Sequence, residues 1–592
     1  MRAASFLMRH VNWVEIAFGV AAVCFLASCT ELSRPEPNPY LAETQPPPKQ
    51  EFRWSNGPMP KSLDPARAAA APETDVVRAI YEGLTEIDSK TLEAVPAAAE
   101  KWTVSEDLKT WTFALRKDAR WSDGKPVTAD DFVRSWQRLY ELGETAAHRQ
   151  LLSSFAVGTG QASTPFAAEP EDFVESPDTE ATPQTKPPDA AVKVETTERV
   201  KLVLLAVSAA DRHTLVVNLN RADKEFPKLV AHAIFRPVPG NGSQFEQEKL
   251  SAKIVTNGAF RISEIDPTSL SLKRSETYWN KENVKLDRVE FVPVEKADEA
   301  LEAYRTGKVD AVTNAEFAPL AQKVFSPYAD FRKSAFAALN FLEINHAKPP
   351  FNDRRVREAL AISIERERLS PNELEGATLP ALSFLPFASG GEAKLTQDRE
   401  RARELLEQAG FEDGRGFPVI RLVVNRNDTQ QRVARAVVKM WKENLGIDTE
   451  LVIKETSEIP AIRAARDFDV LRRGVVLLVP NESVCMSAIL GFDQRDELPE
   501  NVNIPAAPTP TPFRSIDPFF TQSPNTDQDA SGEPPVDQSL TEAVALYELH
   551  AIPLYFPTSF ALVKPYVYGF ETNSLDAPLL SEVSIDSNWQ PR

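Results

Sequence analysis

Residues 99–136 read AEKWTVSEDLKTWTFALRKDARWSDGKPVTADDFVRSW, and their pattern decides the fold class. Trp111, Phe113 and Leu115 alternate with smaller or polar residues, which predicts a strand buried on one side. Asp123-Gly124 supplies a turn. Thr128 stands three residues before Asp131 and opens a helix in which Phe132, Val133, Trp136 and Leu139 share one face, with the hydroxyl capping free N–H groups. The block is therefore a strand, a turn and a capped amphipathic helix. The same grammar recurs downstream. Residues 297–306 read as a helix stopped at Gly307, before a strand at 309–312. Asn352 caps a helix running through Arg366. Residues 401–409 end at Gly410, and 430–445 end at Gly446 before an alternating strand at 447–454. Helices and strands alternate for most of the chain, which predicts α/β layers with largely parallel pairing.

At 592 residues the chain holds three or four domains' worth of sequence. A net charge of −19 with 42% hydrophobic residues argues against nucleic acid as a partner and against wholesale disorder. The six histidines, His10, His148, His213, His232, His346 and His550, show no HExxH or paired-ligand spacing. Asp130-Asp131 falls in the first turn of a helix, where the dipole favours carboxylates without any catalysis. No GxGxxG or P-loop occurs, so neither an enzyme nor a cofactor is expected. Cys24, Cys29 and Cys485 are too few and too badly placed for a disulfide framework.

The N-terminus carries Arg2 and Arg9, an uncharged stretch at 16–27, and then Leu26-Ala27-Ser28-Cys29. Twelve apolar residues make a helix of roughly 18 Å, short of a hydrocarbon core of about 30 Å. This is a signal peptide, 1–28, and its end resembles the bacterial lipobox, in which the cysteine accepts a diacylglycerol and becomes the mature N-terminus. Cys29 is thus the expected lipid anchor. Residues 33–60 hold eight prolines and read as an extended tether, its flexible part at 29–50. Two stretches rich in Pro, Thr, Ala and acidic residues, about 160–198 and about 499–537, read as solvated inserts.

Several segments carry a resemblance to the family 5 extracellular solute-binding proteins, the oligopeptide-binding components of ABC transporters. They are Ser62-Leu63-Asp64-Pro65, Tyr81-Glu82-Gly83-Leu84, the 99–136 block, NGAFRISE at 257–264, Tyr278-Trp279-Asn280, Pro350-Phe351-Asn352-Asp353-Arg354 and Val563-Lys564-Pro565-Tyr566. The resemblance implies a two-lobed, type II periplasmic-binding-protein fold. Lobe I would comprise 51–88, 236–338 and 563–592, an additional subdomain 89–235, and lobe II 339–562. It also implies a monomeric receptor on the periplasmic side of a bacterial envelope, lipid-anchored beside a permease to which it delivers peptides or a related small solute. A degenerate receptor serving as a sensor or envelope interaction protein is the alternative reading.

One stretch bears on the ligand. RRGVVLLVP, 472–480, reads as a strand whose aliphatic run suits burial on both faces, with two arginines and a glycine at its mouth. In the family such a strand binds the peptide as an added strand, its glycine admits the ligand backbone, and an aspartate further along pairs with the peptide ammonium. The resemblance thus nominates Arg463, Arg472, Gly474 and Val476. Leu478 occupies the aspartate position, and losing that partner leaves a largely buried ammonium uncompensated by on the order of 3 kcal/mol. Glu82 is the candidate replacement carboxylate, with an interlobe salt bridge or a solvated position as its other reading.

Overall fold

The computed structural model describes residues 39–159, 203–246, 250–387, 394–491 and 541–591. The expected signal peptide, Cys24, Cys29, the first part of the expected tether and both expected low-complexity inserts lie outside them.

The 99–136 block folds as its pattern dictates. Strands Ala99–Val104 and Thr110–Leu115 pair antiparallel with Trp102 opposite Phe113, and Thr214–Asn218 and Val207–Asp211 complete a four-stranded sheet. Helix Ala129–Glu141 packs on it through Phe132 and Trp136, both fully buried. Asp131 closes its N-terminus by accepting the Thr128 N–H at 2.8 Å and the Thr128 hydroxyl at 3.0 Å, so one carboxylate satisfies two donors that would otherwise be left over. The Trp136 indole donates to the Phe235 carbonyl at 2.7 Å, which lets the largest side chain of the helix be buried without an unmet polar group.

The principal sheet has twelve strands, and it corrects the expectation of largely parallel pairing. Parallel pairs are confined to Glu51–Ser55 with Arg288–Phe291 and with Ala311–Val312, and to Ile420–Asn425 with Thr449–Lys454 and with Val470–Val476. The other ladders are antiparallel. Between two of the parallel partners runs helix Asp428–Leu445, the crossover that parallel pairing needs, whereas Phe260–Asp266 and Ser269–Arg274 are joined by a tight turn that permits only the antiparallel arrangement. Alternation of helix and strand does not by itself distinguish these cases.

Two large apolar cores lie along this sheet. The first draws on 52–291 and 561–585, the second on 337–556. Strand Ala551–Val563 runs through both, pairing with Ala338–Ile344 at one end and with Phe331–Ala335 at the other.

Two local readings also change. The helix assigned to Asn352 is capped by Asp353, whose carboxylate accepts from Arg355 N–H at 2.8 Å. It spans Arg354–Ile362, and Arg366 opens a separate helix. Nor is the proline-rich 33–60 stretch all tether. Strand Glu51–Ser55 buries Phe52 and Trp54 almost completely, and the Leu41 and Ala42 N–H groups donate to Asp330 at 2.7 and 3.2 Å. Prolines between these points punctuate the chain without preventing packing.

Candidate functional site

RRGVVLLVP is not one strand. The strand is Val470–Val476, and its central residues have a pairing partner on one side only. Ala338–Ile344 pairs along its whole length, while Ile420–Asn425 meets it at Leu422↔Val470 and Val423↔Leu471 and then turns away. From Arg472 to Val476 no strand among the described residues pairs with the second edge. An unpaired edge offers a row of backbone donors and acceptors, and Val476 at its end is 52% exposed.

Arg472 lies beside this edge. Its guanidinium donates to Asn425 Oδ1 at 3.3 Å and to Asn340 Oδ1, and Tyr555 stands next to it. Its Nε is buried without a partner. No carboxylate among the described residues pairs with it, and burial pushes its pKa down. Gly474 has a local reason to lack a side chain: a Cβ there would come within 3.3 Å of Arg472 Nη2 and 3.4 Å of Asn340 Oδ1. The glycine makes room for the folded arginine.

Arg473 points to the opposite face and stacks over Phe341 at 5.0 Å. It donates to Glu343 at 2.8 Å and to the Ile489 carbonyl at 2.7 Å, near the C-terminal end of helix Glu482–Leu490. Arg463 donates to the same Glu343 oxygen at 2.9 Å. One carboxylate therefore serves two guanidiniums and leaves a net positive charge. Arg463 and Arg472 are not brought together.

Beyond Val476 the aliphatic residues are divided between the two cores. Leu477 belongs to the second, while Val479 is buried in the first and Leu478 packs against it. Asn481 then caps helix Glu482–Leu490 and donates to both Asp223 oxygens, at 3.2 and 2.9 Å, while Glu225 accepts the Glu482 N–H at 2.7 Å. The run thus crosses from one core to the other and is fastened there. The NES sequence at 481–483 signals the cap, but Asp223 is distant in sequence and nothing local announces it.

Glu82 sits elsewhere and is nearly enclosed, at 6% exposure. Its carboxylate accepts from Tyr278 Oη at 2.6 Å and Trp279 Nε1 at 2.9 Å, and Asn257 holds its backbone on both sides at 3.1 and 3.0 Å. Burial pushes its pKa up to about 7 against the pull of these donors. Arg116 stacks over Trp279 at 3.5 Å. A cavity of about 540 Å³ opens beside Lys90, Lys228, Phe387, Pro480 and Asn573, and no nominated residue lines it.

Among the described residues no cluster of His, Cys, Asp or Glu is arranged to hold a metal, and no helix is long and apolar enough to cross a membrane. Cys485 is buried and unpaired, its thiol inert because burial raises its pKa. Two cores joined by a shared strand, with a one-sided strand edge beside a half-buried arginine, define a two-lobed binding protein of the type II periplasmic architecture. The chain belongs to the bacterial extracellular solute-binding proteins, family 5, whose model matches residues 93–494. It is 30% identical over 537 residues to the periplasmic oligopeptide-binding protein OppA of Escherichia coli, covering 88% of this chain and 90% of that protein. It is 27% identical over 540 residues to the periplasmic murein peptide-binding protein MppA of the same organism, covering 89% and 91%. The unliganded open form of MppA superposes with a TM-score of 0.69 over 92% of this chain and 98% of that one, at 24% identity. Members of this family are solute-binding receptors rather than enzymes.

Proposed function

We propose that this receptor captures short peptides between its lobes and delivers them to an ABC permease, as the names of its OppA and MppA relatives suggest. The observation that carries the reading is the unpaired Arg472–Val476 edge with an uncompensated guanidinium beside it. A peptide added along that edge satisfies backbone groups whatever its side chains, with Gly474 and Val476 as backbone contacts. Arg472 receives a ligand carboxylate, for which a guanidinium offers paired donors. Arg463, sharing Glu343 with Arg473, contributes a second positive wall. Glu82 acts through Tyr278 and Trp279, which it orients.

With Leu478 directed into the first core, no acidic side chain stands at the family's ammonium position. Peptides with a blocked N-terminus are expected to bind at least as well as free ones. Calorimetry with one peptide in acetylated and free forms tests this: a clear preference for the free amine means that another carboxylate has taken the role. Failure of both forms to bind a folded protein favours the sensor reading.

The same proposal makes the protein a periplasmic monomer without a cofactor, synthesised with signal peptide 1–28 and anchored through Cys29, with lobe boundaries near 338 and 563. Cys29→Ser is expected to move it from the membrane fraction to the soluble one without unfolding it. Retention in the membrane overturns the anchor.

A further inference from the structure

Helix Pro319–Phe325 turns Phe325 inward and leaves Leu320 and Val324 outside, 70% and 57% exposed. Four residues apart, they share one face, and Leu320 is the most exposed large apolar side chain among the described residues. Beside them, Lys333 donates to the Gly376 carbonyl at 2.8 Å and the stem of Lys323 lies against the same glycine. Neither ammonium pairs with a carboxylate among the described residues. Two bare aliphatic side chains next to two lysines without a carboxylate partner make a small amphipathic surface.

The path of the N-terminal chain indicates what covers it. Leu41 and Ala42 pack into the cluster that contains Phe325, and the Ala329 N–H donates to the Pro39 carbonyl at 2.7 Å, so the described chain begins next to this helix. Nine residues, and so ten Cα-to-Cα steps, separate Pro39 from Cys29. That length reaches at most about 35 Å when fully extended, so an acyl chain on Cys29 keeps this face close to a bilayer. We propose that the Leu320–Val324 face is a docking surface for the phospholipid bilayer, with the aliphatic pair entering the headgroup boundary and Lys323 and Lys333 meeting lipid phosphates. A single anchor fixes distance but not orientation; a weak second contact close to the tether supplies the orientation. This inference rests on the lipid-anchor reading of Cys29.

The test uses the full lipidated chain in vesicles of phosphatidylcholine with a minority of phosphatidylglycerol, carrying an environment-sensitive fluorophore on Ser326→Cys. Ser326 is exposed at the end of the helix, and Cys485 is too buried to react. Emission is expected to shift to the blue and rise roughly two- to threefold on reconstitution, to be quenched by nitroxide lipids, and to return to its aqueous value with Leu320→Glu and Val324→Glu. That double variant still sediments with the vesicles through Cys29. Aqueous emission from sedimented, labelled protein that keeps Leu320 and Val324 overturns the docking surface, as does a blue shift that appears only when permease is present. A Cys29→Ser chain that still sediments overturns the anchor reading, an outcome read by sedimentation and independent of the label.

Discussion

Glu82 and Arg472 are both ionisable groups in segments that resemble the family, the first enclosed and the second half-buried, yet their surroundings differ. Glu82 has an indole and a phenol donating to it and an asparagine holding its backbone, so its own carboxylate and backbone are already committed. Arg472 has two asparagine oxygens, an unpartnered Nε and, from its own position to Val476, a strand edge that no strand among the described residues pairs with. A buried charge whose bonds are complete holds structure together; one whose bonds are incomplete is prepared for something that arrives later.

Their neighbouring glycines give the largest expected contrast. A Cβ on Gly258 would lie 2.5 Å from the Ile80 carbonyl carbon and 2.7 Å from the Tyr81 nitrogen, both backbone atoms just before Glu82. Gly258→Val is expected to lose about 3 kcal/mol or more of stability in denaturant titration. Gly474→Val meets movable side chains instead, and its strand propensity rises, so its stability is expected to change by less than about 1 kcal/mol while binding weakens. Equal losses at the two glycines would erase the distinction.

Next in size is Arg472→Met. It removes a half-buried cation that has no carboxylate partner among the described residues and is expected to change stability by less than about 1 kcal/mol, while the affinity for peptides with a free carboxylate falls by about 2 to 3 kcal/mol, roughly a hundredfold, by calorimetry. A large stability loss with unchanged affinity would make Arg472 structural, like Glu82. Tyr278→Phe takes a donor from Glu82 and is expected to cost about 1 to 2 kcal/mol of thermal stability.

A further contrast is in pH dependence. Burial raises Glu82 from 4.5 and Asp75 from 3.8 to about 7, and Asp576 from 3.8 to about 6. A carboxyl raised in the folded state contributes stability that is full below its unfolded pKa and is lost as pH rises through the folded value. Thermal stability is therefore expected to fall between about pH 4 and pH 7, and the fall to become shallower in Glu82→Gln but not in Arg472→Met. An unchanged slope in Glu82→Gln would show that its carboxyl is ionised throughout.

The block at 99–136 was legible because each signal in it is used within a few residues: the alternation, the Asp-Gly turn and the Thr128–Asp131 cap all refer to neighbours in the chain. Three helix ends were legible for the same reason, since Gly307, Gly410 and Gly446 adopt the positive φ that their positions predict. The candidate site was legible only in part. Arg472 and Gly474 could be nominated from their places in a recognisable segment, but Asn340, Asn425 and Tyr555 around the guanidinium come from three other strands. Glu343, which joins Arg463 to Arg473, is equally remote in sequence.

The sequence alone determined the kinds of local element, the capped helix and its strand, the absence of familiar catalytic motifs, and a family resemblance long enough to imply two lobes. Only the tertiary structure decided that the sheet is mixed, that RRGVVLLVP ends as a strand at Val476, and that its remaining aliphatic residues are divided between two cores. The reason is physical: hydrophobicity records that a side chain leaves water but not which core receives it. A charge likewise records that it needs partners, and only the folded chain determines whether those partners are already there.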